Sequence, residues 1–425
     1  MIEGAFRMAQ ATYSSEAEIV DKQKGKREAL CSSCGLCSVK SWPAKESIQS
    51  CVFRVGWLGG LESELFGRER NPNSFEESRF GITKKRFVAQ LKNPIPHAQW
   101  SGIITRICTK ALESGFVEGV VAVQNSQDDI FVPKPVLATS TADVFKAKGN
   151  KPALAPALLS LGEAYEKKLK RLLVVGAPCH VHILRDFVKR SPYLKDAEIY
   201  VLGIPCTDNV KPEKLRWILE RISSSHQTLC HYEFMQDFQV HLKHDNGRIE
   251  KVPYFSLPQE LSQIGVFAPS CMSCFDYVNS LSDLTVGYLG APFMPNEKRQ
   301  WVLLRTEKGE ELLKFVEDEL DTYPEETSGD AREAVKMNVE RTIEQLKLGN
   351  KAPAKTGRRI PIWVGKLITY MMSKKGPKGL EFARYTIDFH ILRNYYYVKL
   401  FYPEKFETIV PKHVYKVLEE YGIPK

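Results

Sequence analysis

Leu172-Leu-Val-Val-Gly-Ala-Pro-Cys179 decides how the rest of the chain is read. Four apolar residues closed by glycine and proline form the signature of a short buried strand. Val181–Lys189 then takes up helical spacing. The pattern returns in Glu198-Ile-Tyr-Val-Leu202, closed by Gly203-Ile-Pro-Cys206. Working back, Ala153–Lys170 reads as a helix, Val117–Val123 as a β-branched strand, and Ile103–Gly115 as a helix with Ile103, Ile107, Ala111 and Leu112 on one face. Alternating helices and buried strands predict an α/β fold. In open α/β sheets ligands collect beyond the carboxyl ends of the strands, so Cys179 and Cys206 stand where a cofactor is expected.

Cys271-Met-Ser-Cys274 completes a set of four with those two thiols. Another set opens the chain: Cys31-Ser-Ser-Cys34-Gly-Leu-Cys37, with Cys51 beyond a segment, Ser38–Ser50, that contains Pro43 and no sustained helical pattern. Three thiols at two-residue gaps with a distant fourth follow the ferredoxin habit of gripping a 4Fe-4S cube, and Gly35 lets the backbone wrap closely. A structural zinc ion takes the same four thiolates, though more often from two separated Cys-x-x-Cys pairs. Cys108 and Cys230 stand alone and read as small buried hydrophobes.

With 425 residues and 43% hydrophobic content the chain can build two or three cores. Ten cysteines gathered in short motifs point to metal ligation in a reducing compartment, not to a disulfide scaffold. A balance of 60 basic to 51 acidic residues, net +9, favours acidic partners. No helix-turn-helix, basic-aromatic array or RNA-binding motif accompanies it, so no nucleic-acid partner is expected. The first thirty residues are polar, and Glu3, Glu16, Glu18 and Asp21 argue against a signal or transit segment. The expected location is a bacterial cytoplasm, or an organelle for an already processed protein. The nearest approach to a membrane span, Ile360–Met372, is short and interrupted by Lys366. Gly56–Ser78 reads as exposed connection.

Two clusters would carry single electrons, and a flavin converts these to two-electron chemistry. There is no Gly-x-Gly-x-x-Gly fingerprint. Gln99-Trp-Ser-Gly-Ile-Ile-Thr105 offers Ser101, Gly102 and Thr105 at a helix N-terminus able to hold phosphate, although a serine-capped helix is the plainer reading of the same residues.

Ser101-Gly-Ile-Ile-Thr105, Leu112-Glu-Ser-Gly and Val117-Glu-Gly-Val-Val together resemble the N-terminal signature of the deazaflavin-coenzyme hydrogenase/dehydrogenase β-subunit family. Gly176-Ala-Pro-Cys179-His-Val, Cys206, Cys271-x-x-Cys274, Asp283 and Val286-Gly287 resemble its C-terminal half. His231-Tyr-Glu-Phe-Met-Gln-Asp237, Val252–Pro258, Pro269–Tyr277 and Gly376–Tyr385 are similar to its chlorophyll branch, and the likeness runs from about Cys31 to Val398. The resemblance implies FAD, two 4Fe-4S clusters, reduced ferredoxin as donor and a chlorophyll-type tetrapyrrole as substrate. It turns Ser101, Gly102, Thr105, Asn150 and Lys151 into expected flavin contacts, and supports both cysteine sets as ligands. The segment between Cys37 and Cys51, and Ile204-Pro-Cys206, depart from plant and cyanobacterial members.

The expected architecture is therefore a mixed-sheet flavin-binding core with an iron-sulfur loop before it and a helical extension after it. Its parts are an iron-sulfur segment (1–80), an FAD-binding part (81–170), a part with the second cluster (171–345) and the extension (346–425). His180, Asp208 and Glu233 are the expected proton donors, with two plainer alternatives beside them: His180 as a residue that only orients its neighbouring ligand, and Asp208 as a helix cap. The aromatic, basic C-terminal part is expected to pack on the core or between subunits of a homo-oligomer, with peripheral membrane contact as the rarer use of such helices. Reduction of the 8-vinyl group of a divinyl chlorophyllide is the expected reaction. Reduction of a 7-hydroxymethyl chlorophyll, oxidation of a deazaflavin coenzyme as part of a larger complex, and a pure electron-relay subunit are the alternatives.

Overall fold

The computed structural model describes residues 30–423, except 59, 127–128, 130, 236, 263–264, 295 and 349–356. The first 29 residues, read above for targeting signals, lie outside it. An eight-stranded mixed sheet forms the centre. Its strands are β1 (Lys85–Leu91), β2 (Gly119–Asn125), β3 (Pro133–Ala138), β4 (Arg171–Gly176), β5 (Glu198–Gly203), β9 (Leu284–Gly287), β10 (Gln300–Leu304) and β11 (Leu320–Tyr323), in the spatial order β11-β1-β10-β9-β5-β4-β2-β3. The intervening β6 (Leu229–Met235), β7 (Gln239–His244) and β8 (Ile249–Pro253) form a separate antiparallel sheet. Strands β2, β4, β5 and β9 run parallel, whereas β3 and β10 pair antiparallel on either side of them.

The apolar run at 172–175 is explained by burial on both faces. Leu172 and Val174 point to one core, shared with the helix Pro178–Arg190, Trp42 and Phe53 of the N-terminal segment, and the C-terminal helices. Leu173 points to the other, under the helix Ile103–Glu113. We call these helices α1 (Ile103–Glu113) and α2 (Pro178–Arg190), followed by α3 (Pro212–Ile222), α4 (Arg332–Leu348), α5 (Ile362–Lys375), α6 (Leu380–Phe401) and α7 (Val414–Glu420). A third core lies between α3 and the β6–β8 sheet, built on Ile218, Leu219, Tyr232, Val240 and Leu242.

Several local readings are corrected. Of Ala153–Lys170, only Leu161–Glu166 is α-helix, preceded by a 3-10 turn at Ala157–Ser160. Pro152 and Pro156 break any earlier helix, and Ala153 instead bridges to Val210. Ser38–Ser50 contains a short helix, Ala44–Ile48, that starts just after Pro43. The stretch Gly56–Ser78 is not simple exposed connection: Leu61–Phe66 is helical, Ser78 is buried, and Arg70 is buried in a 2.8 Å pair with Glu62. Cys230 is exposed on β6, its side chain outside the third core, whereas Cys108 is buried under the sheet as expected.

The C-terminal helices divide in behaviour. Helix α6 sinks Ile387, Ile391, Leu392, Tyr395 and Val398 into the main core, and Arg79 binds Asp388 on it with two hydrogen bonds of 2.7 and 2.9 Å. His413, just before α7, donates from Nε2 to the Phe275 carbonyl at 3.3 Å. Burial, with the Arg70 guanidinium adding to it, pushes this ring from 6.5 to about 3. The unfolded chain takes up that proton below about pH 6.5 and the folded chain refuses it until about pH 3, so the neutral ring's stabilisation is complete above 6.5 and is lost as pH falls. We expect stability to drop by roughly 1.4 kcal/mol per pH unit from this group below its unfolded pKa. Urea midpoints followed by circular dichroism between pH 7 and 5 should fall less steeply in His413→Gln. An unchanged slope would clear the ring of that role.

Candidate functional site

The parallel pairing of β4 with β5 aligns Gly176 with Gly203 and so sets their two carboxyl ends side by side. Cys179 follows β4 in the first turn of α2, opened by Pro178, and Cys206 follows β5 in the adjoining loop. Cys271 opens a 3-10 turn, Cys271–Ser273, that Cys274 ends, and the turn is brought against them. All four thiols line one buried cavity, together with Ser32, His180, Asn209 and Ser270. Asn279, at φ 58°, staples the arrangement: its Nδ2 donates to Gly176 O at 2.7 Å and Ile204 O at 3.3 Å, one carbonyl from each strand end. Asn tolerates that left-handed backbone better than most residues.

Burial raises the Cys206 and Cys274 thiols well above their usual range and Cys179 to about 11; cysteines of the same set add to the first two shifts, and Cys31 of the other set adds to the third. Four thiolates gathered around one cavity repel one another, so a cationic metal centre is the chemistry that suits them. The first set behaves alike: burial raises Cys34, with smaller contributions from Cys37, Cys51 and Cys31. Gly35, at φ +88°, lies so close to Pro156 that an added Cβ would come within 2.9 Å of its carbonyl, and Leu158 N donates to Cys34 O at 2.9 Å. The loop is thus moulded onto residues 156–159. The two sets are also neighbours: Ser32 hydrogen-bonds Cys179, and Cys31 is close enough to influence its ionisation. Among the described residues, no group of three His, Cys, Asp or Glu side chains converges as a single-ion site.

Helix α6 closes the second set from outside. Arg393 donates to both carboxylate oxygens of Asp208 at 2.8 and 2.9 Å, and His390 Nε2 lies 2.9 Å from the same group. Burial would raise the Asp208 carboxyl, but Arg393 and His390 outweigh it and hold it well below the carboxylate range. Next to it, Asn394 Nδ2 donates to the Cys271 and Cys274 carbonyls at 2.8 and 2.9 Å. Asp276 accepts from Ser280 N and His182 Nε2, at 2.8 and 3.1 Å. His180 is buried in the cysteine cavity, its Nδ1 has no hydrogen-bond partner, and burial pushes it down to about 4.

The expected flavin segments lie on a different side. Gly102 adopts φ +93° against Ile95 and Ala98, where an added Cβ would come within 3.0 Å. Ser101 does not cap α1. Its hydroxyl donates to Gln300 Oε1 at 2.8 Å, and the same oxygen accepts from Ile103 N at 3.4 Å. Thr105 is buried one turn on. Trp100 sits at φ 53°, stacks on Tyr288 with 5.3 Å between ring centroids, and leaves its buried Nε1 unpaired. Strained backbone beside an orphaned donor is what a cofactor cradle shows.

Asn150 is half-buried; Lys151 donates to the carbonyls of Ala147, Lys148 and Gly149 at 2.5–3.0 Å, and burial pushes it down to about 8. Gly149 packs against the His231 ring and the His97 carbonyl, which joins this segment to the 97–102 loop. His231 Nε2 lies 3.5 Å from Glu233 Oε1, and Lys243 is 3.2 Å from the other oxygen. Burial would raise Glu233, but His231 and Lys243 keep it below its usual range. Tyr288 donates to Phe234 O at 2.8 Å and feels the charges of Glu233 and Cys206, so it stands between the aromatic loop and the second cysteine set.

His231, Trp100, Tyr288 and Gln300 were not singled out from sequence. His231 shares a strand face with Glu233 by the two-residue period, and Trp100 adjoins Ser101; those signals were available. Arg393 and Asn394 offered only two polar residues inside an aromatic helix.

Residues 86–161 match the N-terminal part, and residues 169–327 the C-terminal part, of the coenzyme F420 hydrogenase/dehydrogenase beta subunit. An uncharacterised Nostoc protein is 42% identical over 93% of this chain and 94% of its own length. The 7-hydroxymethyl chlorophyll a reductase of rice, Oryza sativa subsp. japonica, is 39% identical over 92% of this chain and 82% of its own. Among solved structures, a chain of the F420-reducing [NiFe] hydrogenase complex from Methanosarcina barkeri superposes with a TM-score of 0.50 at 24% identity, covering 58% of this chain and 84% of that one. The chain belongs to the coenzyme F420 hydrogenase/dehydrogenase beta-subunit family, in the branch that holds the chlorophyll reductase.

Proposed function

We propose that this protein is an iron-sulfur flavoprotein reductase that acts on a chlorophyll-type tetrapyrrole with electrons from reduced ferredoxin. The observation that carries the reading is the meeting of Cys179, Cys206, Cys271 and Cys274 around one buried cavity, with the Cys31–Cys37 loop touching Cys179. Each set supplies four thiols, the complement of a 4Fe-4S cube. Cys31, Cys34, Cys37 and Cys51 would hold one cluster and the other four thiols the second, while Trp100, Ser101, Gly102, Thr105, Asn150 and Lys151 would surround FAD. When bound, these groups would supply single-electron transfer and two-electron reduction respectively. The kinship with a chlorophyll reductase supports the substrate class.

The chain's own residues then divide by charge state. Asp208, locked as a carboxylate by Arg393, fits a clamp on the second cysteine set and not a proton donor. His180, neutral inside the cysteine cavity, fits the orienting role. Glu233 is also held charged, which leaves His231, 3.5 Å from it, to deliver the proton. Of the two substituents, the 8-vinyl group is kept as the first reading from the resemblance to the chlorophyll branch. The 7-hydroxymethyl group is the second reading, on the strength of the rice relative. The site of action is a bacterial cytoplasm or a plastid stroma.

Anaerobic purification followed by iron, sulfide and flavin analysis is the deciding experiment, with absorbance recorded as ferredoxin and divinyl chlorophyllide are added. About eight irons and one FAD per chain, with a blue shift of the pigment's Soret band, are expected. Zinc in place of iron, or no flavin, would overturn the reading; full cofactors with only 7-hydroxymethyl chlorophyll a consumed would select the second. Pigment untouched in both cases would leave a relay or deazaflavin-linked subunit. Cys34→Ser and Cys274→Ser should each remove about half of the iron, and the two together nearly all of it. His231→Asn should keep iron and flavin but slow single-turnover reduction about 10²–10⁴-fold, whereas a rate unchanged from wild type would reassign the proton.

A further inference from the structure

The whole net charge of the chain sits in one stretch. Residues 345–380 carry nine Lys or Arg and no Asp or Glu; setting these nine aside leaves 51 basic residues against 51 acidic ones. Helix α5 lies inside this stretch. Its inner face is seated on the end of β8, where Gly365 packs against Ser256 and Pro253 and Thr369 is buried. Its outer face presents Trp363, Leu367, Tyr370 and Met371, exposed by 71, 54, 57 and 50%. Their spacing puts these four on one side of the helix. Lys366, Lys374 and Lys375 are exposed around them, and the Lys374 ammonium lies 4.4 Å from the centre of the Tyr370 ring.

Three kinds of surface could cover such a face, and their chemistry separates them. A second copy meeting it across a two-fold axis would set lysines against lysines, because an isologous contact matches a patch with itself. An acidic protein would answer the charge but not the Trp-Leu-Met stripe. Only an anionic lipid surface answers both, taking the apolar side chains between its headgroups and the lysines against its phosphates. Among the described residues no helix is long and apolar enough to cross a membrane, so α5 would lie along the surface. We propose that α5 is an interfacial anchor that seats this protein on anionic lipid. The sheet beneath it also carries His231 and Glu233, so the anchored face and the candidate site share one support.

The test uses the full chain and neither pigment nor electron donor, so its failure is distinct from failure of the proposed activity. Protein is sedimented with vesicles of phosphatidylcholine alone and of phosphatidylcholine containing phosphatidylglycerol. Binding to the anionic vesicles only, weakened by salt, is expected. It should fall about tenfold or more both in Trp363→Ser/Leu367→Ser and in Lys366→Glu/Lys374→Glu, with melting temperature unchanged because all four side chains are exposed. As a second readout, brominated lipid in anionic vesicles should quench tryptophan fluorescence in the wild type and much less in Trp363→Phe. No binding, equal binding to both vesicles, quenching unaffected by Trp363→Phe, or an oligomer that Trp363→Ser/Leu367→Ser converts to monomer would each overturn the proposal.

Discussion

Four sulfur atoms that must share one dry cavity are the constraint on which the rest of this structure depends. Burial raises each thiol, and other cysteines of the set raise Cys206, Cys271 and Cys274 further. The fold answers with backbone, not with bulk. Adjacent parallel strands fix two of the thiols, Asn279 ties their ends together, and Asn394 holds the carbonyls of the other two from outside. The charged groups nearby are themselves paired: Asp208 with Arg393, Asp276 with His182, Glu62 with Arg70. Breaking such a buried pair by removing one partner typically costs about 3–5 kcal/mol, so these clamps resist piecemeal loss.

The central sheet explains why much of the plan was legible in the chain. A parallel strand buried on both faces leaves a continuous apolar run, and Leu172–Val175 and Ile199–Leu202 are such runs. The helix at 103–113 declared itself by period, and the glycine at 35 by the tight wrap that a Cys-x-x-Cys-Gly-x-Cys loop needs. What stayed hidden was set by contacts remote in sequence. Nothing near Ser101 announces that Gln300, from the neighbouring β10, takes the place of a serine cap. Nothing near Asp208 announces Arg393, 185 positions away. Pro156, inside the stretch 153–170, is the residue in plain view that forbids a helix running from Ala153.

The two C-terminal helices show the same limit. Both are aromatic and basic by composition, and composition alone treats them as one extension. In space α6 is core, its Tyr395 and Leu392 almost wholly enclosed, while α5 keeps four large apolar side chains in the open. The difference lies in which face finds a neighbour, and that is decided by residues 253–256 and 271–277, far upstream of either helix.

The position of Arg393 and Asn394 also orders events in time. As the chain leaves the ribosome, Cys179, Cys206, Cys271 and Cys274 are all synthesised before the helix that closes over them, and domains generally acquire their packing as units once the needed segments have emerged. Until α6 arrives, the Cys271–Cys274 turn lacks the amide that holds its carbonyls, and Asp208 lacks its counter-charge. The second cysteine set therefore gains its outer support last, at the end of synthesis. Helix α6, near the end of the chain, thus works as a late fastening, drawn across a site whose four thiols were all made before it.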